Sequence, residues 1–551
     1  MAPKRMYPIR RIMLHTRPLV LDPISMSRFT CPLEEARRRE SQSAEHQPVI
    51  DASNRQAVAA RPLSEPTSRG AAADVAGLDL RVRLGAEKPV SQTMGLDLRA
   101  MAGNLDLEAL KEQVAAGAID TVLVCMTDMQ GRLIGKRVTG HYFLEQVVEE
   151  MHACDYLLAA DMEMEPVPGY AAASWDLGYG DFAIRPDLAT LRRIPWLEGT
   201  ALVLGDVVDH HGEDVPHSPR AILKRQVARA RDLGFTVNMA SELEFYVFNE
   251  PFESARDKVY RHLKTAGWYI EDYHILQTTK EESLIRVIRN GMDAAGIPVE
   301  FSKGEWGPGQ AELNLKYAEA VEMADRHAIY KNGVKEIAYL QGKCVTFMAK
   351  WDYALAGSSC HIHCSFADES GAPAFADGPN GQTALFRQVL AGQLALAPDI
   401  TFFLAPYINS YKRFQAGSFA PTKAVWSSDN RTAGFRVLGA GASLRIECRI
   451  PGADVNPYLA YAALLAAGLH GIEHQLEPEP PYTGDAYKGQ DIREVPKTLR
   501  EALACLERSE AMRGAFGDGV IEHYLHCGRW EQLEYDRRVT DHELIRGFER
   551  A

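Results

Sequence analysis

Three short stretches of the chain set charged or ligating side chains at alternate positions: Glu242-Leu243-Glu244, His361-Ile362-His363 and Arg445-Ile446-Glu447-Cys448-Arg449. Each sits among residues that favour extended backbone, such as Ser-Glu-Leu-Glu-Phe-Tyr-Val-Phe and Cys-His-Ile-His-Cys-Ser-Phe. In a strand, residues i and i+2 share a face and lie roughly 7 Å apart. Three strands therefore offer carboxylates, imidazoles and guanidiniums on one face, with Leu243, Ile362 and Cys448 behind them. Such a face suits a metal and phosphate site built on a sheet.

Further candidates extend this pattern. Glu305-Trp-Gly-Pro-Gly-Gln-Ala-Glu312 holds two acids either side of a glycine- and proline-rich turn, which can fold both carboxylates toward one hard cation. Cys360 and Cys364 flank the two histidines, and a four-ligand zinc site is the competing reading. Strand alternation sends cysteines and histidines to opposite faces, so the cysteines are read as core and the histidines as site residues. Between Arg413 and Arg449 lie five arginines within 37 residues, interleaved with glycine and apolar residues. That is unlike a solvated charge run, and arginine forks bind carboxylates and phosphates bidentately. No Walker A loop and no complete Gly-x-Gly-x-x-Gly before a helix is present to hold a nucleotide instead.

Bulk properties narrow the class. With 551 residues, the chain is long enough for more than one domain. A net charge of −13 implies no general affinity for nucleic acid or an anionic membrane. No apolar run approaches the ~18 residues that span a bilayer. Nine cysteines at scattered spacings form no secreted framework and fit a reducing cytoplasm.

Residues 1–104 are expected to be a disordered extension, since residues 1–93 combine basic clusters with Ser/Pro/Ala-rich stretches and little periodicity. Glu34, Glu35, Glu40 and Glu45 argue against a mitochondrial presequence, and Met94 or Met101 is an alternative start. Residues 105–212 read as a small sheet-rich domain. Its expected strands are 119–126, 133–138 and 202–208, with a turn at 128–132 and a loop over 176–187. Residues 213–551 read as a larger domain in which helices over 221–233, 279–294, 317–340, 383–396, 456–474 and 495–507 alternate with the strand motifs. Ser218-Pro219 and Thr279-Lys-Glu-Glu are read as helix starts. The irregular alternation predicts an α+β fold.

Taken together and in order, Ser-Glu-Leu-Glu-Phe, Gly-Pro-Gly-Gln-Ala-Glu, His-Ile-His, Asn-Ser-Tyr-Lys-Arg and Arg-Ile-Glu-Cys-Arg resemble the glutamine synthetase superfamily over residues 105–551. The resemblance implies a β-grasp-like N-terminal domain and a catalytic domain with a curved antiparallel sheet and flanking helices. It implies homo-oligomeric stacked rings, often dodecamers, with sites shared between subunits. It assigns Glu244, Glu305 and Glu312 to a first metal, and Glu242, His361 and Glu447 to a second. Two or three divalent ions per site are implied, Mg2+ or Mn2+. Arg413, Arg449 and Gly357 match the glutamate subsite. Arg431, Arg436 and Arg445 match phosphate-side arginines, with Arg413, Arg431 and Arg449 expected to serve the chemistry. Glu300, Tyr317, His363 and Ser365 match ATP contacts. The implied reaction converts the γ-carboxylate of glutamate to γ-glutamyl phosphate, which an amine then attacks.

Departures from the superfamily pattern bear on the amine. Where bacterial glutamine-forming enzymes carry an acidic flap, Gly417-Ser-Phe419-Ala-Pro places an aromatic residue. The small domain's ammonium-site aspartate loop has no match, Ala171 to Trp175 standing there instead. Ala356 replaces a common asparagine, and Tyr487 lies near an adenylylation position without its motif. The pattern is closest to the type III, GlnT-like branch, which includes γ-glutamylmethylamide synthetases. The expectation is an ATP-dependent ligase that joins ammonia or a small primary amine, methylamine favoured, to the γ-carboxylate of glutamate. The alternatives are a strict glutamine synthetase and a non-catalytic structural member.

Overall fold

The computed structural model describes residues 103–378 and 381–551. The expectations for the N-terminal extension and its alternative starts lie outside the described residues.

A small mixed sheet comes first. Its strands are β1 (Thr121–Thr127), β2 (Leu133–Thr139), β3 (Met151–Cys154), β4 (Asp181–Pro186), β5 (Arg192–Arg193) and β6 (Thr200–Val208). The order is β2-β1-β6-β4-β3, with β5 also on β6 and β1 parallel to β6. Val122, Val124, Met126, Ile184, Ala201 and Val203 form its core with Leu110 of the helix Leu107–Ala115. The loop expected over 176–187 is instead a short turn followed by β4. Phe182, Ala183 and Ile184 are buried against neighbouring strands, and three consecutive apolar residues show too little alternation to signal a strand.

The second sheet carries the motifs. Its strands are β7 (Phe235–Phe248), β8 (Val299–Gly304), β9 (Gln310–Leu315), β10 (Ala318–Glu319), β11 (Cys344–Thr346), β12 (Cys360–Asp368), β13 (Trp426–Ser428), β14 (Phe435–Leu438) and β15 (Arg445–Cys448). The order is β13-β14-β15-β12-β7-β9-β8, with β10 and β11 also on β7. The sheet curves toward a barrel and is antiparallel except for the edge pair β13–β14, which runs parallel. The α+β class holds. One face buries Leu243, Cys360, Ile362, Cys364, Leu313, Ile446 and Cys448 in a core shared with the helices Ala320–Leu340 and Pro457–Glu473. Both cysteines flanking the histidines therefore point away from them, and the zinc reading is set aside.

Helix boundaries follow capping chemistry. Thr383, Asn456 and Thr498 cap the helices that follow them. Ser218 precedes Pro219–Asp232 without a side-chain cap. Thr279 does not start a helix: its Oγ1 donates to the Ile275 carbonyl (2.9 Å), and the next helix begins at Glu282. Residues 318–319 pair with β7, so Tyr317 stands outside the helix that begins at Ala320. Asn456 also donates to the carbonyls of Asp128 and Met129 (both 3.1 Å), tying the β1–β2 turn to the large core.

Candidate active site

Register assembles the site. Lys303 stands opposite Glu312, and Glu312 opposite Glu244. Glu242 stands opposite His361, His363 opposite Glu447, and Glu447 opposite Arg436. Directly opposed residues share a face with Cβ atoms ~5 Å apart. A row of ligating and charged groups thus crosses β8, β9, β7, β12, β15 and β14 on the face away from the core.

The six candidate ligands gather into two sets: Glu244, Glu305 and Glu312, and Glu242, His361 and Glu447. Within each set, one ligand atom per residue lies within 4.8 Å of the others. In the first set, Glu244 accepts from the Ser359 amide (2.9 Å), the Ser359 hydroxyl and Gln310 Nε2 (3.1 Å). Glu312 accepts from Asn314 Nδ2 (2.9 Å), and Lys303 donates to Glu305. Burial, and then the Glu305 carboxylate, pushes Glu244 up to about 8. Burial with Glu305 and Glu242 drives Glu312 well above the ordinary carboxylate range. Burial and a neighbouring carboxylate both disfavour the charged form, which is why Glu244 and Glu312 are raised. Oxygen donors in such number fit a hard divalent ion.

In the second set, His361 Nδ1 lies 3.1 Å from Glu242 Oε2 and 3.5 Å from Glu447 Oε1. His363 Nε2 donates to Glu242 Oε1 (2.7 Å) while its Nδ1 accepts from Arg445 Nε (3.2 Å), which fixes its tautomer. Glu447, fully buried, also accepts from Arg449 Nη1 (2.5 Å) and Arg436 Nη1 (3.0 Å). Burial alone would raise Glu242 and Glu447. The histidines outweigh it at Glu242, and His361 with Arg449 outweighs it at Glu447, so both are held below their ordinary range. Burial and Arg449 lower His361, keeping its imidazole available as a neutral ligand.

Two cavities meet over this face. One of about 270 Å³ is lined by Glu242, Glu244, Glu305, Glu312 and His361, with Gly357, Arg413, Phe419, Arg431, Arg436 and Arg449. The other, about 580 Å³, is lined by Glu300, Tyr317, His363, Ser365 and Arg445. Glu242 borders both. Of the residues expected on the nucleotide side, Arg431 and Arg436 therefore line the smaller cavity while the other five line the larger. Arg413 is deeply buried. Its Nη2 donates to the carbonyls of Arg449 (3.2 Å), Ile450 (2.6 Å) and Pro451 (2.5 Å), and its Nε has no partner among the described residues. Burial lowers its guanidinium to about 10. A Cβ at Gly357 would come within 2.6 Å of Arg413 Cγ, so glycine there lets the arginine pass.

Several residues of this face were not singled out from the sequence. Lys303, Gln310 and Ser359 stand two positions from Glu305, Glu312 and His361, and the same alternation identifies them. Asp272 and Tyr273 line the smaller cavity from an irregular segment that no periodicity marks. Tyr487 Oη donates to the Ala420 carbonyl (3.0 Å), tying down the segment that carries Phe419.

Residues 216–546 match the family described as glutamine synthetase, catalytic domain. The gamma-glutamylethanolamide synthetase GlnA4 of Streptomyces coelicolor is 51% identical over 447 residues, covering 81% of this chain and 96% of that protein. The glutamate–isopropylamine ligase of a Pseudomonas species is 38% identical over 434 residues, covering 78% and 95%. Among solved structures, a GmaS/ADP complex superposes with a TM-score of 0.70 at 28% identity, covering 80% of this chain and 99% of that one.

Proposed function

This chain belongs to the glutamine synthetase family, and from that premise we propose that it joins a small primary alkylamine to the γ-carboxylate of glutamate. It is an ATP-dependent carbon–nitrogen ligase. The observation that carries the finer reading is the smaller cavity itself: carboxylates and arginines share it with Trp306 and Phe419. A site for ammonia alone has no use for rings at that position. Of the relatives named above, one is named for synthesising γ-glutamylethanolamide and another for ligating glutamate with isopropylamine. They support moving the favoured acceptor, among small primary amines, from methylamine to ethanolamine.

In this reading the two carboxylate sets hold divalent ions, Mg2+ or Mn2+. When bound, these ions supply positive charge that offsets the phosphate and carboxylate oxygens during phosphoryl transfer. Glu300, Tyr317, His363, Ser365 and Arg445 line the room for ATP. Arg449 and Arg413 orient the glutamate, and Arg431 and Arg436 face the transferring phosphate. A carboxylate resists amines because oxide is a poor leaving group. Once the ATP γ-phosphoryl group is on the γ-carboxylate, the neutral amine nitrogen attacks the carbonyl carbon, phosphate departs with the bonding pair, and the nitrogen releases its extra proton to water or the departing phosphate. The products are the γ-glutamylamide, ADP and phosphate. Arginines fixed at the departing oxygens need little reorganisation.

A ring assembly with shared sites is likewise proposed. Exposed Trp175 and Leu177, which stand out from the small sheet, support it, and sedimentation of the purified chain tests it.

The deciding experiment is an amine panel of ammonia, methylamine, ethylamine, ethanolamine, isopropylamine and putrescine, scored by kcat/KM with product mass. Preference for an alkylamine over ammonia supports the reading. Glutamine as the sole product favours a strict glutamine synthetase. No phosphate release with any amine favours a non-catalytic member.

A further inference from the structure

We propose that the rings of Trp306 and Phe419 form one wall that receives the carbon skeleton of the acceptor amine and sets its size limit. This rests on the ligase reading above and adds Trp306 as a residue that determines specificity.

The two rings come from separate segments. Trp306 follows Glu305 in the β8–β9 turn, and Phe419 lies in the irregular stretch before β13. Their centroids are 5.9 Å apart at an interplanar angle of 59°, a touching, tilted pair. Both residues are 50% exposed, although each lies on a backbone that is held firmly. Gly307 donates its amide to Gln310 Oε1 (2.9 Å) and Gly309 donates to Glu271 Oε1 (3.1 Å). At Gly309, φ is +74°, and a Cβ would meet the Ala266 nitrogen at 2.8 Å, so the turn has no slack. Phe419 has φ +58°, a left-handed conformation that a bulky side chain adopts only when its surroundings impose it. The Arg449 Nη2 contact to the Phe419 carbonyl (3.5 Å) and the Tyr487 bond to Ala420 supply that constraint. Fold packing leaves half of each residue uncovered, and both line the smaller cavity.

Tyr273, Phe301, Ala356 and Ala420 add carbon surface to the same cavity, but among the rings that line it only Trp306 and Phe419 form a touching pair. The charged part of the lining holds the carboxylates of Glu242, Glu244, Glu305 and Glu312 and the guanidiniums of Arg413, Arg431, Arg436 and Arg449. A glutamate and a phosphate make no use of an aromatic wall. An alkylamine does: its nitrogen faces the charged groups, and each methylene covered by the rings is worth roughly four-fold in kcat/KM. A rigid pair also sets where the chain must stop, since a hydrophobic pocket rejects an oversized group by about 10- to 100-fold.

The test uses the full chain with Mg2+, ATP, glutamate and a series from ammonia through methylamine, ethylamine, ethanolamine and isopropylamine to n-butylamine. In Trp306→Ala the kcat/KM ratio of n-butylamine to ammonia is expected to rise at least about 10-fold. Trp306→Phe should fall between wild type and Trp306→Ala, with KM for ATP and glutamate within about two-fold of wild type in both. Phe419→Ala should shift the profile the same way, and the double variant should shift it by less than the product of the two, because the rings act as one wall. A Trp306→Ala profile that is unchanged, or scaled equally for every amine including ammonia, overturns the proposal. Thermal melts identify a variant that does not fold, in which case Trp306→Phe and Phe419→Ala decide. A wild type that makes only glutamine ends the alkylamine reading. The wall is then judged separately, supported if Trp306→Ala admits alkylamines and overturned if it does not.

Discussion

Glu242 stands directly opposite His361 between β7 and β12, and its second oxygen reaches His363 two residues further along the same strand. One carboxylate therefore joins the candidate metal-ligating set to the larger cavity, and both imidazoles contact it.

Removing a ligand from either set should abolish turnover without dismantling the fold. Glu305→Ala and His361→Ala are expected to lower kcat by at least about 100-fold, by comparison with the loss of other preorganised charge-stabilising groups. Melting temperature should stay within a few degrees. Steady-state kinetics beside thermal melts checks this, and wild-type kcat in either variant would contradict the assignment.

Metal binding should expel protons. Glu244 sits at about 8, and Glu312 is raised well above the ordinary range, so near pH 7 both carry protons when no cation is present. Mg2+ requires the ionised forms, so about one or two protons should leave per chain at pH 7 and fewer at pH 9, with apparent affinity rising with pH across that interval. Calorimetry in buffers of different ionisation enthalpy measures the number. Heats independent of the buffer would refute it.

An acid introduced at Phe419 should favour ammonia. Phe419→Glu places a carboxylate where a ring now lines the cavity. The ratio of glutamine to alkylamide formation is expected to rise about 10-fold or more, since an uncompensated charge repels an alkyl chain and attracts a compact cation. Competition between ammonia and ethanolamine in one reaction, read by product mass, would show it. An unmoved ratio would dismiss the role given to this position.

Stability should fall on mild acidification for a reason remote from the site. His217 and His523 stack with ring centroids 4.2 Å apart, and His523 Nε2 donates to the Leu158 carbonyl (2.8 Å). Burial lowers His217 from 6.5 to about 4, and burial together with His217 lowers His523 from 6.5 to about 3. Both are neutral in the folded state, whereas an unfolded histidine takes up a proton near 6.5. Stability is therefore full above pH 6.5 and declines as pH falls toward 4, by roughly 3 kcal/mol for each ring. Urea melts at pH 7.5 and 4.5 compare wild type with His523→Gln, whose decline should be smaller. Equal declines would exclude this source.

The sequence disclosed the site far better than its surroundings. Alternation alone placed Glu242 with Glu244 and His361 with His363, because a two-residue period survives whatever the strand pairs with. It could not say that Glu242 faces His361 or that Glu447 faces His363, since register is fixed by partners far along the chain. Arg413 was legible as a binding arginine rather than part of a solvated charge run. Its three backbone carbonyl partners were not, because they depend on how the chain runs after β15. Thr279 failed as a helix start through its bond to Ile275, a local competition that composition does not reveal. Asp272, Tyr273 and the outward pose of Trp306 came from irregular segments, where no period guides a reader.

Because Glu242 is the partition between two rooms, neither can be remodelled alone from the sheet. A change there disturbs nucleotide and ions at once. The turn after Glu305 and the segment around Phe419 lie at the edge of the site, and neither supplies a member of the second set of candidate ligands. Divergence in what such a scaffold accepts should accumulate at those two edges, leaving the engine that activates the carboxylate inherited intact.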